Sequence, residues 1–239
     1  MLKIINKFLL TPEEIFNEVF ISYEKKRGLL LTYLNQNGFN IYFRNEQYRK
    51  LLDTFFKVYQ ADLGIYLLLK FLKKEKISRI DASTLNTNIL NEIINKKIPI
   101  SFVGGNFSEN FIKEECTKRK INFGGYYNGY FNETESANVI KIINQFYSQV
   151  YFVGMGVPKQ EFFAYELTKN SKDKLIICVG NFLEFYFGTI KRAPVIFQKL
   201  GIEWLFRLLT EPKRLWKRYI FGIPEFLYRA IKMKMGKQY

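Results

Sequence analysis

Short apolar runs alternate with amphipathic stretches along the chain up to residue 190. Helical periodicity predicts helices between the runs, the first of them opened by Thr11-Pro-Glu-Glu14, a capping box with proline at the first helical position. Buried strands that alternate with helices are typical of a doubly wound, mostly parallel, Rossmann-like α/β sheet. The runs short and apolar enough to be such strands are 29–34, 98–103, 121–127, 150–153 and 175–179.

The segments between these runs give local predictions. Residues 35–38, Asn-Gln-Asn-Gly, predict an amide-rich loop, and 44–57 predict a helix. Residues 59–64 predict a turn, and 65–72, which are apolar nearly all round, predict a buried helix. A further helix, capped by Ser83 or Thr84, is expected to end at Asn95, and two more are predicted at 108–118 and 133–147.

From Ala193-Pro194 onward the pattern predicts helices only. Aromatic and basic residues interleave there on amphipathic stripes, as in helices that lie in the headgroup region of an anionic membrane. The alternative is a helical subdomain whose stripes simply cover the sheet. We therefore divide the chain into an α/β glycine-turn-rich core, 1–193, and a helical appendage, 194–239, which we expect to associate with a membrane.

The charge of the chain is concentrated toward its C-terminal end. Thirty-seven Lys and Arg against 22 Asp and Glu give a formal charge of +15, and from Thr189 to Tyr239 the balance is 12 − 3 = +9. This charge predicts an anionic partner, for which we favour a membrane over nucleic acid because the sequence carries no groove-reading module. No apolar run reaches the ~18 residues of a membrane span, and the N-terminus lacks a secretory signal, so we expect a cytoplasmic protein peripherally bound to the membrane.

Composition also restricts the chemistry. The chain has no histidine, which excludes histidine-based catalytic triads and most zinc sites. Its four aspartates form no Asp-x-Asp pair, so a metal site built on paired aspartates is not expected, although Glu133-x-Glu135 stays open as an alternative. Cys116 and Cys178 lie in apolar contexts and are predicted to be buried free thiols.

The segment 150–161 combines a strand, a glycine turn and a helix opened by Pro158. Parallel sheets collect ligand groups at the carboxyl ends of their strands, and Gly154 and Gly156 allow a ligand to approach the backbone closely. An ordinary strand-to-helix connection is the alternative. The first helical turn adds a cation, an amide and a carboxylate: Lys159, Gln160 and Glu161.

Five motifs in order resemble the WecG/TagA/CpsF family of bacterial glycosyltransferases (glycosyltransferase family 26). They are 153–161, 180–188, 191–194, 201–204 and 207–219. The resemblance implies inverting transfer of a hexose or N-acetylhexosamine from a UDP-sugar donor to a polyprenyl-diphosphate-linked acceptor. It further implies no metal and no other cofactor, a site at the cytoplasmic face of the membrane, and a product used in surface polysaccharides such as teichoic acid, capsule or exopolysaccharide.

The resemblance also assigns catalytic positions. The aspartate of the family's Asp-Gly turn, thought to be the general base, matches Asp62. The asparagine of a Thr-x-Asn motif matches Asn35, with Tyr33 in place of threonine. The arginine of an Arg-x-x-Gly turn matches Arg79, with Ala82 in place of glycine.

Inverting transfer needs a base on one side and stabilisation of the leaving diphosphate on the other. Without histidine the base is a carboxylate, for which Asp62 is the candidate and a helix N-cap the alternative role. Cations for the diphosphate would be Arg79, Lys159, Arg207, Arg214 and Arg218, although each appendage arginine has a solvated or lipid-facing alternative. Groups for the nucleotide or sugar would be Gln160, Asn181 and Glu184, together with the turn Gly104-Gly105.

Two functional readings follow. The first is the enzyme, whose site would be completed when the appendage docks. The second is a catalytically weakened relative that binds a nucleotide sugar or lipid intermediate as a scaffold. Away from a membrane, the apolar stripes predict self-association into a homo-oligomer.

Overall fold

The computed structural model describes residues 3–72, 77–169, 171, 173–190, 193–194, 196–197 and 203–235. Within them a single sheet has the strand order β1-β3-β2-β7-β6-β4-β5, and every pair of neighbouring strands is parallel. The strands are β1 (Phe8–Leu9), β2 (Leu29–Leu34), β3 (Phe56–Gln60), β4 (Ile100–Gly104), β5 (Phe123–Tyr127), β6 (Val150–Gly154) and β7 (Leu175–Cys178).

Helices cover both faces of this sheet, which confirms the doubly wound α/β fold. One face carries α2 (Gln36–Arg44), α3 (Glu46–Phe55), α4 (Leu63–Phe71), α7 (Ser136–Ile143) and α8 (Lys159–Thr168). The other carries α1 (Pro12–Glu24), α5 (Ala82–Asn95), α6 (Glu109–Lys118) and α9 (Phe182–Tyr186). Short 3-10 helices span Lys3–Lys7 and Glu133–Glu135.

Three further helices follow in the appendage: α10 (Glu203–Thr210), α11 (Pro212–Ile220) and α12 (Gly222–Lys234). Helix α12 packs on the core, because Phe226 and Ala230 are buried in the same cluster as the first face of the sheet. Asn40 Nδ2 donates to the carbonyl of Gly222 (2.8 Å), and Arg44 forms an ion pair with Glu225. None of the helices in the described part of the chain is long and apolar enough to cross a membrane.

The predicted loop at 35–38 is wrong, because these residues begin α2. The side chain of Asn35 is the N-cap and accepts a hydrogen bond from the backbone N–H of Gly38 (2.8 Å). Amide-rich sequence favours loops and helix caps alike, and here the cap is formed.

The single helix predicted at 44–57 is also wrong. Asn45 ends α2 and caps α3, which ends at Phe55, and the chain passes directly into β3. The predicted turn at 59–64 therefore begins two residues too early. No Gly or Pro separates α3 from β3, so the usual breaking signal is missing.

Two predictions about later helices need correction. Helix α4 buries Ile65, Leu68 and Leu69 only, so it is half exposed rather than buried all round. Helix α5 is capped by Asp81, whose Oδ1 accepts from Thr84 N (2.9 Å), not by Ser83 or Thr84.

The motif parts at 191–192 and 201–202 lie outside the described residues.

Candidate active site at the carboxyl edge of the sheet

The central strands β2 and β7 end side by side, and their following helices leave toward opposite faces of the sheet. Helix α2 follows β2 onto one face, and α9 follows β7 onto the other. Such a switch point opens a crevice at the carboxyl ends of the strands, where α/β proteins bind ligands. Asn35, Gly154 and Asn181 follow or end neighbouring strands along this edge, as the sequence predicted.

Glycines allow the turns at this edge to pack against one another. A side chain on Gly104 would lie 2.2 Å from the carbonyl oxygen of Gly154, and one on Gly154 would lie 2.4 Å from that of Gly180. A side chain on Gly129, after β5, would lie 2.8 Å from Gly104 Cα. Gly105 has a positive φ of +67°, and its carbonyl accepts from Gly129 N (3.1 Å). These glycines are therefore required by the fold of the edge itself.

Gly156 differs from them because the space beside it is open. Its φ is +77°, and a side chain there would meet no atom within 4 Å. The neighbouring Val157 lies over the first turn of α2, since a methyl group on Gly38 would be 3.6 Å from Val157 Cγ1 and 3.5 Å from Asn35 Oδ1. The β6–α8 turn thus meets Asn35 at an open point of the edge, where backbone can contact a ligand.

Asp62 connects two helices at the same edge. Its Oδ1 accepts from Ile65 N (2.8 Å) as the N-cap of α4, and its Oδ2 accepts from Gln36 N (2.6 Å) at the start of α2. Burial raises the pKa of the Asp62 carboxyl, against the opposing effects of these N–H groups and of Arg218. Asp62 is therefore a helix N-cap, the alternative role that the sequence offered, and it also lies beside Asn35 at the switch point.

Gln160 and Glu161 lie behind the turn, with fully buried side chains. Glu161 Oε1 accepts from the hydroxyl of Thr32 (2.6 Å) and from Gln160 Nε2 (2.8 Å). Gln160 Oε1 in turn accepts from Gly180 N (3.0 Å). Burial raises the pKa of Glu161 to about 7. The two side chains bind the protein's own groups and hold the turn after β7.

Two arginines of the appendage approach the tips of β2 and β7. Arg207 on α10 and Arg218 on α11 both lower the pKa of Tyr33, although burial keeps that pKa above its ordinary value. The Arg207 guanidinium lies 5.0 Å from the centre of the Phe185 ring on α9. A side chain on Gly180 would lie only 2.3 Å from the Tyr33 hydroxyl oxygen, so Tyr33 packs directly against the turn after β7. The structure therefore brings positive charge from the appendage to the strand tips that carry Tyr33 and Asn181.

Lys159 is directed toward the loop after β5. Its ammonium donates to the carbonyls of Gly129 (3.1 Å) and Phe131 (3.0 Å) and lies 4.4 Å from the centre of the Phe131 ring. It thereby ties this loop to the start of α8.

The other predicted residues occupy different parts of the edge. Arg79 is exposed beyond the ends of β1 and β3, in a segment held by Ser78, whose N–H donates to Leu10 O and whose carbonyl accepts from Gln60 Nε2. Asn181 and Glu184 are half-buried on α9 beside the crevice. Arg214 lies on α11, and its side chain is outside the described residues.

Some residues of the site were missed by sequence reasoning. Thr32 supports Glu161 from the centre of the sheet, and Tyr48 on α3 lies close enough for Glu161 to raise its pKa. A threonine inside an apolar strand was the available signal for the first. Across the described residues, no group of three or more Cys, Asp or Glu side chains is arranged to hold a metal ion; the side chain of Glu133, in the alternative pair Glu133-x-Glu135, lies outside them.

The chain resembles known proteins over most of its length. The chain is similar to the N-acetylglucosaminyldiphosphoundecaprenol N-acetyl-beta-D-mannosaminyltransferase of Bacillus spizizenii, with 28% identity over 215 residues that cover 87% of this chain and 80% of the relative. The family model described as glycosyl transferase WecG/TagA/CpsF matches residues 5–239. With almost its whole length matched, the chain belongs to the WecG/TagA/CpsF family of glycosyltransferases.

Proposed function

We propose that this chain transfers a hexose or N-acetylhexosamine from a UDP-sugar to a polyprenyl-diphosphate-linked sugar, with inversion at the anomeric carbon and without a metal. The relative's name describes an acceptor of this lipid class, N-acetylglucosaminyldiphosphoundecaprenol. The observation that carries the proposal is the position of Asp62 at the switch point, where its carboxylate accepts from the first N–H groups of α2 and α4 and Arg218 lies near enough to lower its pKa. The positive charge of Arg218 lowers the pKa of both Asp62 and Tyr33, and that of Arg207 lowers the pKa of Tyr33.

In this proposal Asp62 removes the proton from the attacking acceptor hydroxyl. A base for this step needs a pKa above the ordinary range of aspartate, and burial shifts the pKa of Asp62 upward. The two N–H groups that bind Asp62 fix the carboxylate in place and leave further lone pairs on its oxygens for the hydroxyl.

The departing diphosphate would lie near the open turn at Gly156 and the N-termini of α2 and α8. Backbone N–H groups and helix dipoles favour anions there, and Arg207 and Arg218 add full positive charges. Asn35 and Asn181, on the two sides of the crevice, would bind hydroxyls of the sugar or nucleotide. Gln160 and Glu161 would support the turn from behind.

A lipid-linked acceptor implies contact with a membrane, which we assign to the appendage. Apolar side chains of α10 and α11 are exposed beside Lys213 and Lys217, including Leu209, Trp216, Ile220 and Phe221. Each basic residue near an anionic surface contributes about 1 kcal/mol of attraction. Binding would hold the appendage, and with it Arg207 and Arg218, at the cytoplasmic face of the membrane.

The test measures UDP release from a panel of UDP-sugars with a short-chain prenyl-diphosphate sugar as acceptor. Asp62→Asn should lower the rate by about 100-fold or more, because the amide cannot act as a base. Asp173→Asn, the same change at the exposed amino end of β7, is the matched control and should not lower it. EDTA should leave turnover unchanged, and the product's anomeric configuration, read by NMR, should be inverted.

The scaffold reading makes the opposite prediction. The replacement of the family's threonine by Tyr33, whose hydroxyl lies against Gly180, is the feature that favours it. A wild-type chain that binds UDP but releases none from any donor in the panel would support the scaffold and contradict the enzyme. A strict requirement for a divalent ion would contradict the metal-free mechanism.

A further inference from the structure

Helix α4 of the core has an uncovered apolar face. Its inner side, formed by Ile65, Leu68 and Leu69, is buried against the sheet. Leu67 and Phe71, one turn apart on the outer side, are 53% and 46% exposed. Two large apolar side chains at this spacing form a stripe rather than isolated surface residues.

Helix α12 runs beside α4 in the same direction. At the start of α4, a side chain on Gly64 would lie 3.4 Å from the Phe226 ring. At its end, Lys234 Nζ donates to the Phe71 carbonyl (2.8 Å) and lies 4.4 Å from the centre of the Phe71 ring. The first contact lies near the start of both helices and the second near the end of both, so α12 runs alongside α4 in the same direction.

The outer sides of the two helices therefore form one surface, which we call the α4–α12 face. Its apolar members are between 46% and 65% exposed: Leu67, Phe71, Leu227, Tyr228, Ile231 and Met235. Its cations are Lys70, Lys232 and Lys234. Exposed apolar side chains bordered by lysines are typical of surfaces that lie at the interface of an anionic bilayer.

We propose that the α4–α12 face lies on the surface of an anionic lipid bilayer, so that the catalytic core itself, and not only α10 and α11, contacts the membrane. The inference rests on the proposed function, in which the acceptor is a membrane lipid. A second copy of the chain is the less favourable occupant, because a symmetric contact would bring the same lysines together in a protein of formal charge +15.

The consequence concerns the position of the proposed base. Asp62 caps α4, five residues before Leu67, which is about 7.5 Å along a helix axis. A bilayer on the α4–α12 face would thus lie close to Asp62. The sugar of a polyprenyl-diphosphate lipid, which projects from the bilayer surface, would then be near the proposed base.

A fluorescent label on α4 tests the contact directly. Cysteine is placed at Leu67 (L67C) and, as a matched control, at Ile21 (I21C), which is 43% exposed on α1 across the sheet. Each variant is labelled with the polarity-sensitive dye NBD, to which the buried Cys116 and Cys178 are poorly accessible. With vesicles of phosphatidylglycerol and phosphatidylcholine, NBD emission at position 67 should rise and move to shorter wavelength, while at position 21 it should stay as in buffer. Equal responses at both positions would overturn the proposal.

A second measurement uses vesicle co-sedimentation. The double variant L67S/F71S should bind anionic vesicles about tenfold or more weakly than wild type, since two partly buried apolar side chains are lost. The control I21S/I142S, at positions that are each 43% exposed, should bind as wild type does. Circular dichroism verifies that all variants are folded. Unchanged binding by L67S/F71S, together with a shift of the chain to a smaller species in size-exclusion chromatography, would assign the face to self-association and overturn the proposal.

Transfer to a water-soluble, short-chain acceptor in solution tests the proposed function separately. If transfer fails but the signal at position 67 appears, the glycosyl transfer proposal is wrong and the membrane contact stands. If transfer succeeds but position 67 gives no signal, the enzyme stands and the contact of α4 with the bilayer is wrong.

Discussion

Glu161 is expected to make the protein less stable as the pH rises through the neutral range. Its carboxyl is fully buried, bound by the Thr32 hydroxyl and the Gln160 amide, and burial raises its pKa from 4.5 to about 7. A carboxyl whose pKa is higher in the folded state binds its proton more tightly there. Its stabilising contribution is therefore complete below pH 4.5 and is lost as the pH rises to about 7.

The magnitude follows from the shift. A change in pKa from 4.5 to about 7 corresponds to about 3 kcal/mol in total, of which about 2.5 kcal/mol falls between pH 5 and pH 8. Because the chain has no histidine, few other side chains titrate in this window. The loss is large compared with the 5–15 kcal/mol that typically separates folded from unfolded states.

The perturbation is Glu161→Gln, which resembles the protonated carboxyl in shape and cannot ionise. Its amide oxygen can still accept from Thr32 and Gln160. The free energy of unfolding, measured by urea denaturation at several pH values from 5 to 8, should fall in wild type and stay nearly level in this variant. Glu166→Gln, on an exposed side of the same helix, is the control and should keep the wild-type slope.

Two results would refute the reasoning. A wild-type protein with no loss of stability over this range would show that Glu161 does not keep its proton in the folded state. A Glu161→Gln variant that loses stability as steeply as wild type would assign the slope to other groups.

Three further substitutions give expected outcomes. Gly180→Ala should lower the free energy of unfolding by about 2 kcal/mol or more, because φ is +58° and the new methyl would lie 2.3 Å from the Tyr33 hydroxyl; a urea curve equal to that of wild type would contradict this packing. Gly156→Ala should cost only about 1 kcal/mol of stability, since nothing lies within 4 Å, yet it should weaken UDP binding in calorimetry by about tenfold; unchanged affinity would place the diphosphate elsewhere. Glu225→Gln removes the ion pairs with Arg229 (2.6 Å) and Arg44 and should lower the protection of α12 in hydrogen exchange by about 1 kcal/mol, whereas unchanged protection would mean that these pairs do not hold the helix.

Much of the fold was predictable from local pattern. Strands β2, β6 and β7 lie in apolar runs, interrupted only by Thr32 in β2, so their positions follow from burial on both faces. The caps at Thr11 and Ser108 have side chains that can accept from the N–H groups of the first turn, and both do so. The prediction failed at β3, where a helix passes into a strand without a breaking residue.

The candidate site was predictable only as a set of residues. The family resemblance gave Asp62 and Asn35 as candidates, and the strand-end pattern gave the glycine turns, because the chemistry of those residues is a property of the sequence. That Asp62 binds Gln36 N, and so lies beside Asn35, depends on β2 and β3 being neighbours in the sheet. Strand order is set by long-range packing, which local pattern does not encode.

The sequence by itself determined which side chains this protein has for its chemistry: one candidate base at a helix cap, no histidine, and a basic helical end. The tertiary structure decided where these side chains lie. It buried Gln160 and Glu161 behind the β7 turn, brought Arg207 and Arg218 to the strand tips, and placed α12 alongside α4. The physical reason is that charge and residue type belong to single positions, whereas burial, pKa and neighbourhood arise only when distant segments pack together.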